Sequence, residues 1–526
     1  MTRTRGSDLL RWPLVGPVLR WRHTRTVLQS VALGLAVLIL LDGFFGPQLA
    51  PRNLAGVIPW VHWRGFVVLA LLVAGNLFCM ACPFMLPRRL AKRFLPGDRI
   101  WPPLLQSKWL AVALLLFFFW AYEAWALWAS PWLTAWVALV YFVGAFVVDG
   151  FFRGASFCRF VCPIGQFNFV HSTISPLEVT VRDPDRCGRC ETKDCIRGRY
   201  TPEARARRED REDHVGVDEE PWAGRPLRPN GPTGILTLAA PGPAPGRALG
   251  RDGLLQGGCE LALYQPRKEG NLDCTFCLEC IHACPHDNVG IFTRTPAREL
   301  TLDPVRSGVG RISRRPDLVA MALLLVFAAF VNALGMVEPV FALQAWLARI
   351  VGSGSRELIL ALFFLGGLVV LPGILVGSTA WLSRRLAGRS RSLAEEIRLY
   401  AWSLVPVGFG MWTAHYLFHF LIGALTVVPV AQQYLRDLGL PSGDPAWGLG
   451  PMVPEGWLFP IELLFLQGGL LASLLVGYGI ARREEGRKRP ALRAFAPWAV
   501  LATALTAAGI WLLLQPMEMR GTFFTS

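Results

Sequence analysis

Apolar runs recur along this chain at a length that matches a bilayer. Nine stretches, near 27–46, 65–82, 108–129, 132–152, 317–337, 356–381, 398–427, 457–481 and 494–515, are rich in Leu, Ala, Val, Phe and Trp. About 20 such residues make a helix that crosses a membrane. Four runs precede a long polar interval at 153–316 and five follow it. The intervals between runs alternate in charge. The N-terminus and the 83–108, 382–398 and 482–493 loops are basic, whereas those around 47–64, 130–131, 338–355 and 428–456 are poor in Lys and Arg. Basic loops stay inside. The pattern therefore predicts a mainly α, polytopic helical membrane protein in a bacterial-type inner (cytoplasmic) membrane. Its N-terminus and 153–316 segment face the cytoplasm and its C-terminus lies outside. The first run ends in GFFGPQLAPR without a small-x-small cleavage site, so it reads as an uncleaved anchor. Three domains follow: 1–152 with four spans, 153–316 in the cytoplasm, and 317–526 with five spans.

Composition agrees. The chain has 526 residues, 53% of them hydrophobic and only 17% charged, against about 45–50% and about 25% in soluble domains. The net charge of +15 does not point to nucleic acid, because the Arg and Lys residues cluster beside apolar spans. Lipid is the expected partner. Within the polar interval, 197–257 combines ARARREDREDH with PGPAPGRALGRDG. Such a segment buries little apolar surface and reads as a flexible insertion.

Within this interval, eight of the chain's twelve cysteines form two groups of four. One group reads Cys274-x2-Cys277-x2-Cys280-x3-Cys284-Pro285, the spacing of bacterial ferredoxins, in which the fourth cysteine serves the other cluster of a pair. The other reads Cys187-x2-Cys190-x4-Cys195, with Cys259 downstream. Crossing over the fourth cysteines gives two ligand sets: Cys187, Cys190, Cys195 with Cys284, and Cys274, Cys277, Cys280 with Cys259. Each suits a [4Fe–4S] cluster, and the expected unit is a two-cluster, ferredoxin-like α+β domain. Four thiolates also suit zinc, though zinc ribbons separate two CxxC pairs by a spacer.

The last four cysteines form two Cys-Pro motifs, Cys79-x2-Cys82-Pro83 and Cys158-x3-Cys162-Pro163. Both follow an apolar run and both fall at the same predicted membrane face. On a helix, positions i and i+3 or i+4 share a face, so each pair is expected to present two sulfurs together. Candidate roles are a third iron or iron–sulfur centre, a thiol/disulfide relay, or buried thiols packing as small apolar groups. His415 and His419, one turn apart in the seventh run, are candidates for a quinone, proton or metal site, or for interhelical hydrogen bonds. His62 is a weak partner for them. Glu123, Glu338 and Glu462 are membrane-level acids, and Met517 and Met519 are soft donors. No nucleotide loop, catalytic triad or zinc-protease motif occurs.

Two Cys-Pro motifs followed by two ferredoxin-type cysteine runs resemble the membrane polyferredoxins of the NapH/NosR type, over roughly residues 60–300. The resemblance implies electron exchange with the quinone pool on behalf of other respiratory electron-transfer subunits. The chain is also similar to copper-reducing assembly iron–sulfur proteins, which would make it a metal reductase in cofactor assembly. A redox sensor is the third expectation.

Overall fold

The structure is a computed structural model and describes residues 6–95, 97, 99–206 and 253–518. Most of the 197–257 insertion and Met519 lie outside the described residues. Eight described helices are long and apolar enough to cross a membrane, the hallmark of a multi-pass membrane protein. These are α1 (Thr24–Phe45), α2 (Leu54–Ala74), α4 (Pro131–Phe151), α5 (Pro316–Leu334), α6 (Arg356–Ala387), α7 (Leu393–Asp437), α8 (Glu455–Glu485) and α9 (Lys488–Leu513). The third apolar run forms α3, Trp109–Ala124, of only 16 residues. At about 1.5 Å per residue it is about 24 Å long, short of a hydrocarbon core of about 30 Å. Yet α3 runs beside α5 over most of its length. The Lys108 amide donates to Asp317 at its start (2.8 Å). At its far end the Glu123 carboxylate approaches Gly335, just past α5. The remaining passes alternate between a cysteine-bearing end and the opposite end.

Two expectations are corrected. The second run was expected at 65–82, but the helix occupies Leu54–Ala74 and stops before the cysteines. It starts early because the Pro- and Trp-containing stretch Ile58–Trp63 coils into a π turn continuous with the rest. It stops at Gly75, whose φ of +65° suits a residue without Cβ. A Cβ there would meet the Phe276 ring at 2.8 Å. The 338–355 interval, read as a loop, contains a 13-residue apolar helix, Pro339–Val351.

The dry centre of the bundle is α5 and α7. Along α5, Leu318, Met321, Ala322, Leu325 and Val326 are all buried, and Trp402 and Trp412 of α7 pack against them. Glycines let the helices approach: Gly410 of α7 and Gly469 of α8 leave room for no side chain, with Cα atoms of the partner helix at 3.2 Å from a would-be Cβ.

The polar interval folds onto the cysteine-bearing end. Strand β1 (Leu177–Val181) pairs antiparallel with β4 (Val289–Thr293), with Val179 opposite Ile291. A second, short pair joins β2 (Arg199–Tyr200) and β3 (Leu254–Gln256). The N-terminal segment straps this layer: the Ser7 carbonyl accepts from the Thr293 amide (3.1 Å), and Asp8 accepts from Arg182 (2.8 Å).

Buried ion pairs fix the layer to the helices. Arg25 of α1 reaches Glu260 (2.9 Å) and Glu279 (2.8 Å). Arg88, on the helix Met85–Phe94, reaches Glu260 (2.5 Å) and Asp149 of α4 (3.8 Å). Burial alone would raise the Glu260 pKa, but Arg25 and Arg88 more than offset it and hold the carboxyl well below its usual range. Removing one member of a buried pair strands its partner and costs about 3–5 kcal/mol. Arg25→Ala is expected to lower stability by about that amount, read as an earlier denaturation midpoint and faster proteolysis of the 259–284 segment. Arg22→Ala, on a residue outside this network, is the control and should leave both unchanged.

Candidate thiolate site

All twelve cysteines are free thiols. Those of the polar layer lie between β1 and β4, on short helices (Cys187, Cys195 and Cys280) and the segments joining them. The Cys274–Cys284 run cannot be a plain helix, because Asp273, Phe276 and Leu278 all have positive φ, at 59°, 52° and 59°. For residues with a Cβ this left-handed backbone is strained by about 1–3 kcal/mol each. It coils the chain so that Cys274, Cys277 and Cys280 turn to one side. Phe276 and Leu278 pack beside them into a core with Val179, Val181 and Ile291. That core holds the strained loop in place.

Cys259, Cys274, Cys277 and Cys280 line one small cavity of about 10 Å³ with Phe276, Leu261 and Leu263. The Leu263 amide donates to Cys259 Sγ (3.4 Å). Burial pushes the Cys259 thiol up to about 11, and that of Cys277 well up. Cys284 turns instead towards the first group. Asn288 donates from its side chain to Cys187 Sγ (3.1 Å) and from its backbone to Cys284 Sγ (3.3 Å), so one residue holds two sulfurs from separate runs. Cys195 is close enough to feel the charges of Cys284, Cys187 and Cys190. The two groups touch: the Cys259 amide donates to the Cys195 carbonyl (2.8 Å).

The membrane cysteines converge from two hairpins. Cys79 lies on the short helix Leu77–Met80 beyond the Gly75 reversal. Cys158 belongs to the turn Phe157–Val161, and Cys162 caps the next helix, Pro163–His171. Its sulfur accepts from the Gly165 amide (3.4 Å), with Pro163 at the first helical position. The turn that carries Cys158 ends at Cys162, where the backbone becomes extended just before Pro163. What brings the sulfurs together is tertiary. The Asn168 side chain donates to Cys79 Sγ (2.9 Å), and Cys158 Sγ lies 3.9 Å from Met85 Sδ.

Cys79, Cys82, Cys158 and Cys162 line a common cavity of about 50 Å³. Cys274 lines it too, so this one cysteine borders both cavities. Asn76 fastens the junction by donating to the Cys274 carbonyl (2.6 Å). Three thiol groups thus run in sequence from the polar layer into the helices. Among the described residues, no three His, Cys, Asp or Glu side chains close on a single-ion position. The sulfur donors instead line two small cavities.

The other candidates lie apart. His415 and His419 are buried on α7 with ring centroids 4.8 Å apart and planes at 78°; neither lines a cysteine cavity. His62 is accounted for by the Ala424 carbonyl, 2.8 Å from Nε2. Glu338 is exposed, Glu462 is buried on α8, and the Glu123 carbonyl accepts from Arg356 (3.1 Å). Met517 pairs its backbone with Val337. Sequence reasoning missed Asn76, Asn168 and Asn288, whose only signal was their nearness to cysteines in the chain.

No family model, curated protein or solved structure matches the chain.

Asn76→Leu deprives the Cys274 carbonyl of its donor. A buried group left unpaired costs about 1–3 kcal/mol. The expected result is faster amide exchange across 271–280, with α2 exchange unchanged.

Proposed function

We propose that this chain is a membrane-bound iron–sulfur electron-transfer protein. Cys187, Cys190, Cys195 and Cys284 would hold one [4Fe–4S] cluster, and Cys259, Cys274, Cys277 and Cys280 the other. The β1–β4 pair enclosing both runs would be the frame of a ferredoxin-like unit. The membrane cysteines form a third stage, as an iron–sulfur centre or a dithiol. The clusters supply one-electron chemistry at potentials that hydrogen bonds to sulfur and burial adjust. The polar layer would face the cytoplasm of a bacterial-type inner membrane, and the chain would exchange electrons with the quinone pool or a respiratory partner.

The observation that carries this reading is the double role of Cys274. It belongs to the ferredoxin-type run and also borders the cavity of the membrane thiols. Isolated structural sites have no need of such contiguity, whereas electron transfer depends on short steps between centres.

The protein's own residues have definable tasks. Asn288 and the Leu263 and Gly165 amides donate to sulfur, which stabilises negative charge on it. Arg25 adds positive charge near Cys277. Phe276, Leu278, Met80 and Ile281 exclude water from the same region.

Iron and acid-labile sulfide per chain test the reading. Anaerobically purified protein should hold about eight irons for two cubanes, or more if the membrane thiols add a third centre. Cys187→Ala and Cys274→Ala should each remove about half of the cubane iron, with matching loss of the low-temperature EPR signal. A colourless protein containing zinc overturns the proposal.

A further inference from the structure

A further cavity lies away from the cysteines. It lies among α1, α2, α3, α4, α5 and α7, measures about 250 Å³, and is partly open at its edge. Its walls are almost wholly apolar and rich in aromatic rings. Two polar features interrupt them.

The first is Arg64 of α2. Its guanidinium carbon sits over three rings, at 4.6 Å from Trp60, 5.0 Å from Tyr122 and 5.3 Å from Tyr416. Such a cage stabilises a cation through the faces of the rings. The second is Asn332 of α5, which is 4% exposed. Its Oδ1 has no hydrogen-bond partner. A buried acceptor left unmade costs about 1–3 kcal/mol, and lipid tails cannot satisfy it. Thr134, also on the wall, is different: it accepts from Trp60 Nε1 (3.0 Å) and donates to the Leu127 carbonyl (2.7 Å). The cavity therefore presents, among the described residues, a buried acceptor without a partner and a guanidinium held by rings, in an apolar aromatic setting.

It also adjoins the thiols. Trp63, Phe84 and Ile164 line both this cavity and that of the membrane cysteines. The Trp63 ring meets Phe78, next to Cys79, edge-on at 4.5 Å. Pro83 and Pro163, which follow Cys82 and Cys162, also line this cavity.

We infer that this cavity binds the head group of an isoprenoid hydroquinone, with Asn332 Oδ1 accepting a hydrogen bond from a ring hydroxyl. A flat aromatic diol with an apolar tail meets each demand: donors for Asn332, a ring for the aromatic wall, and a tail that leaves by the open edge. A phospholipid acyl chain fills the space but leaves Asn332 unanswered. The inference rests on the electron-transfer reading and names where its quinone site lies.

The test uses holoprotein in nanodiscs and a photoreactive azido-quinone, with decylubiquinol as competitor. Labelled peptides should come from α2 and α5, in the segments containing Arg64 and Asn332. Asn332→Leu should raise the decylubiquinol concentration needed for half-maximal protection about tenfold, the worth of one buried hydrogen bond. Asn332→Asp keeps an acceptor oxygen and should restore protection. Ala138→Trp, which fills the cavity from α4, should block labelling while iron content stays that of the parent. In Asn332→Leu, reduction of the clusters by dithionite should be unchanged and reduction by decylubiquinol slowed. Labelling elsewhere, or protection unaltered in both Asn332→Leu and Ala138→Trp, overturns the inference, with acyl chain as the occupant. Labelling does not require iron, so an iron-free protein that still labels refutes the electron-transfer reading and not the site.

Discussion

The arrangement depends on a buried charge network at the base of the helices. Arg25 and Arg88 belong to membrane-domain segments; Glu260 and Glu279 directly adjoin Cys259 and Cys280 in the chain. Charges taken out of water are tolerated only when paired and hydrogen-bonded. Each carboxylate therefore has one acceptable position, against those guanidinium groups. The cysteine loops inherit that position, since they lie one residue away. Arg88 extends the constraint to Asp149, and Asp149 in turn accepts from the Phe157 amide (2.8 Å) at the start of the second Cys-Pro turn. One network thereby sets the place of both loop systems relative to each other.

Around it, local strain and tertiary packing are matched. The loop Asp273–Leu278 takes an unfavourable backbone because three thiols must face inward within seven residues, and Phe276 and Leu278 recover the cost in the core beneath. Gly75 reverses the chain so tightly that Phe78 returns to the Trp63 ring and Cys79 lies beside Asn168. The result is contiguity: the polar-layer thiols, the membrane thiols and the aromatic cavity share walls in that order. A chain built only to stay in a membrane would not need Cys274 and Trp63 each to border two cavities.

The helical passes were legible because a bilayer tolerates few alternatives to long apolar helices. Their edges were less so. The second span was displaced by eleven residues at its start because His62, Trp60 and Pro59 look like loop residues in sequence, yet His62 is satisfied by Ala424 from another helix. The third is too short by length alone, and only its run alongside α5 shows how far it reaches. Cysteine spacing marked which residues belong together but not that the Cys162–Pro163 cap ends one helical turn and starts the next. Sequence spacing assumes one regular element, and a cap is where regularity ends.

By itself, then, the chain determines that it is a helical, membrane-spanning protein, and which cysteines are spaced as donor sets; both follow from periodicity and short-range spacing. Tertiary structure alone decided that Asn288 joins Cys187 to Cys284, that Cys274 borders two cavities, and that Asn332 and Arg64 line a common one. Those relations join residues up to hundreds of positions apart, and they arise from helix packing and buried charge pairing, neither of which leaves a periodic trace along the chain.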